Sequence, residues 1–141
     1  MASRTRRNRQ RGQALVESAF ITLVFVVTLL GIFDLGQILF IHQSLADRAR
    51  NAARYAVVRT YDATVVQNMV LYYQPTVPEG ATTGFMGLAT SMVSVTRSDA
   101  GTNEDRITIT ISNYPFRFFS PLIAGQFYGR PIVVTMPTET V

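Results

Sequence analysis

Side chains that could do chemistry are few in this 141-residue sequence, and their spacing matches no catalytic pattern. His42 is the single histidine and cysteine is absent, which excludes thiolate metal sites and leaves one imidazole for acid–base work. No phosphate-binding loop, nucleophile elbow or zinc-ligand spacing occurs. The acids of residues 99–105 do not follow the spacing of an EF-hand calcium loop. The sequence therefore predicts no enzyme activity, no metal and no cofactor.

A glycine and a lone acid at the start of an apolar segment are more informative. Gly12 ends a leader with five arginines, and Glu17 is the one charged residue between Arg11 and Asp34. Taken singly, Gly12 could be a linker residue and Glu17 an acid near a helix N-terminus. A carboxylate among apolar residues needs nearby water or a partner, because an isolated charge is costly in hydrocarbon.

The element that positions this pair is long enough to cross a membrane. Residues 14–33 meet the requirement of roughly 17–25 apolar residues. The arginine-rich leader predicts a cytoplasmic N-terminus. We therefore predict a single-pass protein of the cytoplasmic membrane, with a leader at 1–12, a transmembrane helix at 13–41 and an extracytoplasmic domain at 42–141. Without the leader the charges nearly balance, so we expect no nucleic-acid surface.

The rest of the chain indicates a small α+β domain. The helix continues to about Arg59, and its small apolar residues fall on one stripe. A weaker helical pattern covers 63–73, and residues 106–112 alternate isoleucine with hydroxyl residues as a half-buried strand does. Residues 92–97 and 132–135 are the other predicted strands. We predict one long N-terminal helix, transmembrane in its first half and amphipathic in its extracytoplasmic half, packed on a small antiparallel β-sheet.

An aromatic run near the C-terminus is interrupted by Pro115, Pro121 and Gly125. It is more typical of a packed crossover than of a strand. Packing in the core is the first interpretation of this run, and a hydrophobic patch facing a partner is the second. Its members are Tyr114, Phe116, Phe118, Phe119, Phe127 and Tyr128.

Two parts of the chain resemble known families. Residues 11–17, Arg-Gly-Gln-Ala-Leu-Val-Glu, resemble the cleavage site of type IV prepilins. Residues 31–36, Gly-Ile-Phe-Asp-Leu-Gly, lead into 49–56, Ala-Arg-Asn-Ala-Ala-Arg-Tyr-Ala, and resemble the TadE-like family of pilus assembly pseudopilins. Major pilins of this system commonly carry tyrosine after the glutamate. Ser18 stands there in this chain, which favours a pseudopilin.

The resemblance implies a processing step and a set of partners. A prepilin peptidase would cut after Gly12, so that Gln13 becomes the first residue. Glu17 would then offset the new α-amino group, in its own chain or in a neighbouring subunit. The implied partners are the peptidase, other pilins and pseudopilins, the Tad assembly machinery and membrane lipid. The chain would act in the assembly of a Tad/Flp-type pilus, at the membrane or in the pilus.

Two alternatives and one further residue stay open. The chain could be an uncleaved, signal-anchored extracytoplasmic binding module, or a secreted protein released after Ala46. Asp34 lies near the predicted outer interface of the membrane. Its two interpretations are simple solvation or local pairing, and a contact with another subunit.

Overall fold

A single long helix forms the N-terminal part of the molecule. The computed structural model describes residues 3–120, 123 and 125–138, with side chains from residue 12 onward. Helix α1 runs over Ser3–Val58, a length of 56 residues. The first proline of the sequence is Pro75, so nothing before it removes a backbone donor from the helix. At about 1.5 Å per residue the helix is about 84 Å long.

The apolar side chains of residues 14–29, in the first half of α1, are exposed, and we call this part the bare half. Within the described residues, α1 is the one helix that is long and apolar enough to cross a membrane, from Gly12 onward. None of its most apolar 18-residue stretch is buried within the chain. The core helix of a soluble protein would be covered, so this surface is not explained by packing inside the chain.

The second half of α1 carries the hydrophobic core. Every residue of the predicted stripe is buried, which confirms that prediction. These residues are Leu45, Ala49, Ala52, Ala53 and Ala56, and Ile41 extends the stripe by one turn. Because alanine side chains are short, helix α2 and the sheet can approach the α1 backbone closely.

Helix α2, Ala63–Tyr72, packs on this stripe through Val66, Val70 and Leu71. Asp62 caps its N-terminus by accepting hydrogen bonds from the backbone N–H groups of Thr64 and Val65, at 2.8 and 3.3 Å. At the other end Tyr73 takes the left-handed conformation that terminates many helices.

The sheet confirms the predicted α+β class. Strands β1 (Val93–Ser98) and β2 (Arg106–Ile111) form a hairpin, and β5 (Ile132–Pro137) pairs with the other side of β2. Both pairings are antiparallel. The alternation that predicted β2 has the expected consequence, since Ile107, Ile109 and Ile111 are buried against the helices.

The aromatic run contains two short strands that the sequence did not indicate. Strands β3 (Pro115–Phe116) and β4 (Phe127–Tyr128) pair as a separate antiparallel ribbon. Proline is tolerated because β3 lies at an edge, where its missing donor is not needed. The rings of Phe116, Phe118 and Phe127 lie with centroids 5.0–5.9 Å apart; Phe116 and Phe127 stack, and Phe118 meets both edge to face. Tyr114 and Phe116 pack in the hydrophobic core, Phe118 and Phe127 are half-buried outside it, and Phe119 and Tyr128 are exposed.

Candidate functional site

The three residues of the predicted processing site lie together near the start of α1. Gly12, Gln13 and Glu17 are all exposed. Gln13 and Glu17 are four residues apart, which puts both on one face of the helix. A Cβ atom at Gly12 would meet nothing within 4 Å. A protease cuts extended backbone, so cleavage would require the helix to unwind at Gly12. Glycine favours this unwinding because it is a poor helix former.

Asp34 has a different environment. Only 4% of the residue is exposed, although its neighbours along the helix face outward. Its Oδ1 accepts a hydrogen bond from the backbone N–H of Phe119 at 2.6 Å. The N–H of Ser120 lies 3.3 Å from Oδ1 and 3.2 Å from Oδ2. The carboxylate thus holds the segment after β3 against α1, and we call this contact the Asp34 latch.

An aromatic contact accompanies the Asp34 latch. The rings of Phe33 and Phe119 meet edge to face, with centroids 5.4 Å apart. Local pairing of Asp34 was one of the two interpretations of the sequence, and here the pairing lies within the chain. The contact between Asp34 and another subunit stays a prediction, and the segment around Phe119 would be part of it.

His42 ties the ribbon to the helix two turns beyond Asp34. Its Nδ1 lies 3.0 Å from the hydroxyl oxygen of Tyr114, which is buried. Burial raises the pKa of Tyr114, because the phenolate is poorly solvated there. The phenol therefore stays neutral and can serve His42 as a hydrogen-bond donor. This hydrogen bond joins α1 to the start of the β3–β4 ribbon, and the pair therefore has a structural role.

Asp105 is the buried acid of the loop between β1 and β2. Arg97 donates to it from Nε, at 2.9 Å from Oδ1, and from a terminal guanidinium nitrogen to Oδ2. The backbone N–H of Gly101 also lies 3.2 Å from Oδ2. The guanidinium and this N–H hold the pKa of Asp105 below its usual range. The intramolecular donors thus make this acid a structural part of the hairpin.

The arginines of α1 divide between surface and interior. Arg50 and Arg54 are exposed, and Arg50 pairs with Asp47 at 2.8 Å. Arg48, which the sequence did not single out, lies over the Phe85 ring at 4.0 Å and donates to the carbonyl oxygen of Val70 at 3.3 Å. Within the part of the chain that the structure describes, no three acidic or histidine side chains are placed to hold a metal ion.

Helix packing begins inside the predicted transmembrane range. The described domain contacts α1 from Phe33 and Asp34 onward, whereas 13–41 was the predicted span. The boundary of the span stays a prediction. The Asp34 latch shows only that the last two turns of this range have neighbours from the domain.

Comparison with known proteins gives one match. The family model described as TadE-like protein matches residues 12–54, which confirms the resemblance predicted from the sequence. The match covers Gly12, Glu17, Asp34 and most of the buried stripe, and it ends before α2 and the sheet. No curated protein and no solved structure matches the chain.

Proposed function

We propose, from the TadE-like match over residues 12–54, that the chain is a minor pseudopilin acting in the assembly of a Tad/Flp-type pilus. The match itself indicates a protein related to the Tad pilus. Supporting the finer role is the division of α1 into a bare apolar half and a half that carries a small domain. Such a chain can pack by its helix in a membrane and present its domain outside.

Processing after Gly12 by a prepilin peptidase is part of the proposal. The observation that carries it is that the family match begins at Gly12, the residue at which the basic leader would end. A cut there would remove the leader and leave the apolar half of α1 joined to the domain. The new amino group on Gln13 would lie one helical turn from Glu17, close enough for the two charges to offset each other.

Release as a secreted protein fits the packing poorly. Ala46 is buried in the middle of α1, and Ile41 and Leu45 before it are core residues. Cleavage after Ala46 would remove these side chains from the core. Loss of one large buried side chain typically costs about 2–5 kcal/mol. An uncleaved signal anchor avoids this cost, and it is the alternative that an experiment must separate from the pseudopilin.

The test is the mass of the protein extracted from membranes. In cells with an active prepilin peptidase the mature chain should begin at Gln13, and in cells without the peptidase the leader should stay attached. Gly12→Leu should keep its leader in both. Gly36→Leu is the matched control, since Gly36 is also an open position on α1, and it should be processed normally.

An intact leader on the wild-type chain, with the peptidase active, would contradict the proposal and favour the signal anchor. A soluble product starting at Asp47 would favour secretion instead.

A further inference from the structure

We infer that Phe119, Ser120 and Ile123 lie in the outer interface of the membrane, where lipid headgroups meet the acyl chains, and that Asp34 holds the segment 119–120 there. The inference rests on the proposed function in one respect, because it requires α1 to span a membrane. It adds a second, peripheral contact between the extracytoplasmic domain and lipid.

The length of α1 sets the depth of this segment. Asp34 follows Gly12 by 22 residues, or about 33 Å of helix. The hydrocarbon core of a bilayer is about 30 Å thick. With Gly12 at the cytoplasmic boundary, Phe33 and Asp34 lie at the outer boundary of the hydrocarbon core. The segment bonded to Asp34 must lie at the same depth.

The hydrogen bonds of the Asp34 latch suit that depth. A carboxylate near hydrocarbon needs donors, and free backbone N–H groups are costly there because water is scarce. Asp34 accepts hydrogen bonds from the N–H groups of Phe119 and Ser120. The carboxylate thereby gains two donors, and each N–H group gains an acceptor. At the surface of a soluble domain, water could solvate all three groups without this contact.

Three exposed side chains near the Asp34 latch are apolar, beside the polar Arg117 and Gln126. The exposed fractions of Phe119, Phe33 and Ile123 are 68%, 59% and 44%. Phe119 also packs on Phe33, so the two rings extend the apolar surface of α1 without a break. Phenylalanine is one of the residues that interfacial protein segments bury at the boundary between headgroups and acyl chains.

A basic side chain lies on the side of this patch away from the membrane core. Arg117 is exposed beside a shallow cleft that Gln37 and Ile41 also line. These helix residues lie one to two turns beyond Asp34, at the level of lipid phosphates. Arginine at this height can bind phosphate while its stem covers apolar surface.

Tryptophan fluorescence can locate the segment, because the natural chain contains no tryptophan. Three single-tryptophan chains are prepared in full length and placed in phosphatidylcholine–phosphatidylglycerol vesicles with or without brominated acyl chains, which quench tryptophan on contact. Phe119→Trp reports on the proposed contact and Phe25→Trp on the middle of the span. Val58→Trp, 83% exposed and about 36 Å beyond Asp34, is the control outside the membrane.

Brominated lipid should quench Phe25→Trp and Phe119→Trp and leave Val58→Trp unchanged. Bromines placed near the headgroup should quench Phe119→Trp more than bromines deep in the chains, with the reverse order for Phe25→Trp. Quenching of Phe25→Trp alone would overturn this inference and leave the proposed function standing, and a partner protein would then be the better occupant of the patch. Absence of quenching at Phe25→Trp would contradict the membrane span itself.

The role of Asp34 is tested in the Phe119→Trp chain. Asp34→Ala removes the acceptor, so the segment should leave the interface, quenching should fall and the emission maximum should move to the red. Asp47→Ala, which removes an exposed acid of the same helix, should change neither. Unchanged quenching in Asp34→Ala, with quenching of Phe25→Trp retained, would show that Asp34 does not hold the segment.

Discussion

At the scale of single residues, three carboxylates of this chain show how environment decides what an acid does. Glu17 is exposed on the bare half of α1, Asp34 is bonded to backbone N–H groups, and Asp105 is paired with an arginine. Of these three acids, Asp34 and Asp105 accept hydrogen bonds from donors in the described part of their own chain. For Glu17 the proposed donor is an amine that exists only after cleavage.

We expect Glu17→Gln to separate processing from assembly. Glutamine keeps the size and the helix propensity but removes the charge that would offset the Gln13 amine. A single chain can keep that amine hydrated at the interface, so insertion and at least partial cleavage should survive. Packing between helices strips the water, and losing one partner of a buried ion pair typically costs about 3–5 kcal/mol. Co-purification with pilus partners and piliation should therefore be lost.

The matched control for Glu17→Gln is Asp47→Asn, which neutralises an exposed acid of the same helix outside the apolar half. It should support normal piliation. Wild-type piliation by Glu17→Gln would mean that the carboxylate is only a helix-end residue.

A second residue-scale prediction concerns Gly129. A Cβ atom built there would lie 1.8 Å from the ring of Tyr114, the residue bonded to His42. Gly129→Ala should force this ring to move and should destabilise the domain by about 1–3 kcal/mol. Thermal unfolding of the full chain in detergent, followed by circular dichroism, measures the change.

Gly36→Ala is the control for Gly129→Ala. Gly36 lies on α1 with open space around it, and alanine is the better helix former by roughly 0.5–1 kcal/mol. Its unfolding temperature should stay the same or rise. Equal unfolding temperatures for Gly129→Ala and the wild type would contradict the close packing of Tyr114 against the β3–β4 ribbon.

At the scale of elements, periodic sequence patterns predicted the secondary structure that they covered and its buried faces correctly. Specific contacts between residues far apart in the sequence were not predicted. The alternating isoleucines of β2 and the alanine stripe of α1 were readable because burial on one face imposes a period on the sequence. The Asp34 latch joins residues 85 apart, and its donors are backbone N–H groups, which any sequence supplies. One signal was present: Asp34 lies seven residues before Ile41 and so continues the buried face.

The hairpin of β1 and β2 should be sensitive to acid through Asp105. Its pKa is lowered in the folded state, so its stabilising contribution is complete above the unfolded value of about 3.9 and is lost as pH falls through the folded value. Wild type should therefore be more stable than Asp105→Asn at pH 7. The difference should shrink below about pH 4. Denaturant unfolding in detergent over a pH series measures it.

Asp99→Asn tests whether the effect of Asp105 is specific, since Asp99 is an exposed acid of the same loop. Asparagine also tolerates the positive φ of 55° found at Asp99. This variant should follow the wild-type pH profile. A constant difference between wild type and Asp105→Asn across the series would exclude titration of Asp105 as the cause.

At the scale of the whole molecule, the charge of the leader and the apolar half of α1 predict one orientation. Alkaline phosphatase, which is active only outside the cytoplasm, should be active when fused after Val141. The same enzyme fused after Arg11 lacks the apolar segment and should be inactive. Activity of a cytoplasmic reporter after Val141, with none from the phosphatase, would reverse the proposed topology.

Because α1 is continuous, a change in its direction also moves the domain. No break separates the bare half from the half embedded in the domain, so α1 has no hinge between the two. Membrane helices tilt by about 20° on average, which would carry Val58 sideways by about 12 Å over the 24 residues beyond Asp34. If α1 spans a membrane as proposed, any reorientation of the helix in the bilayer moves the domain sideways, and a lateral pull on the domain tilts the helix.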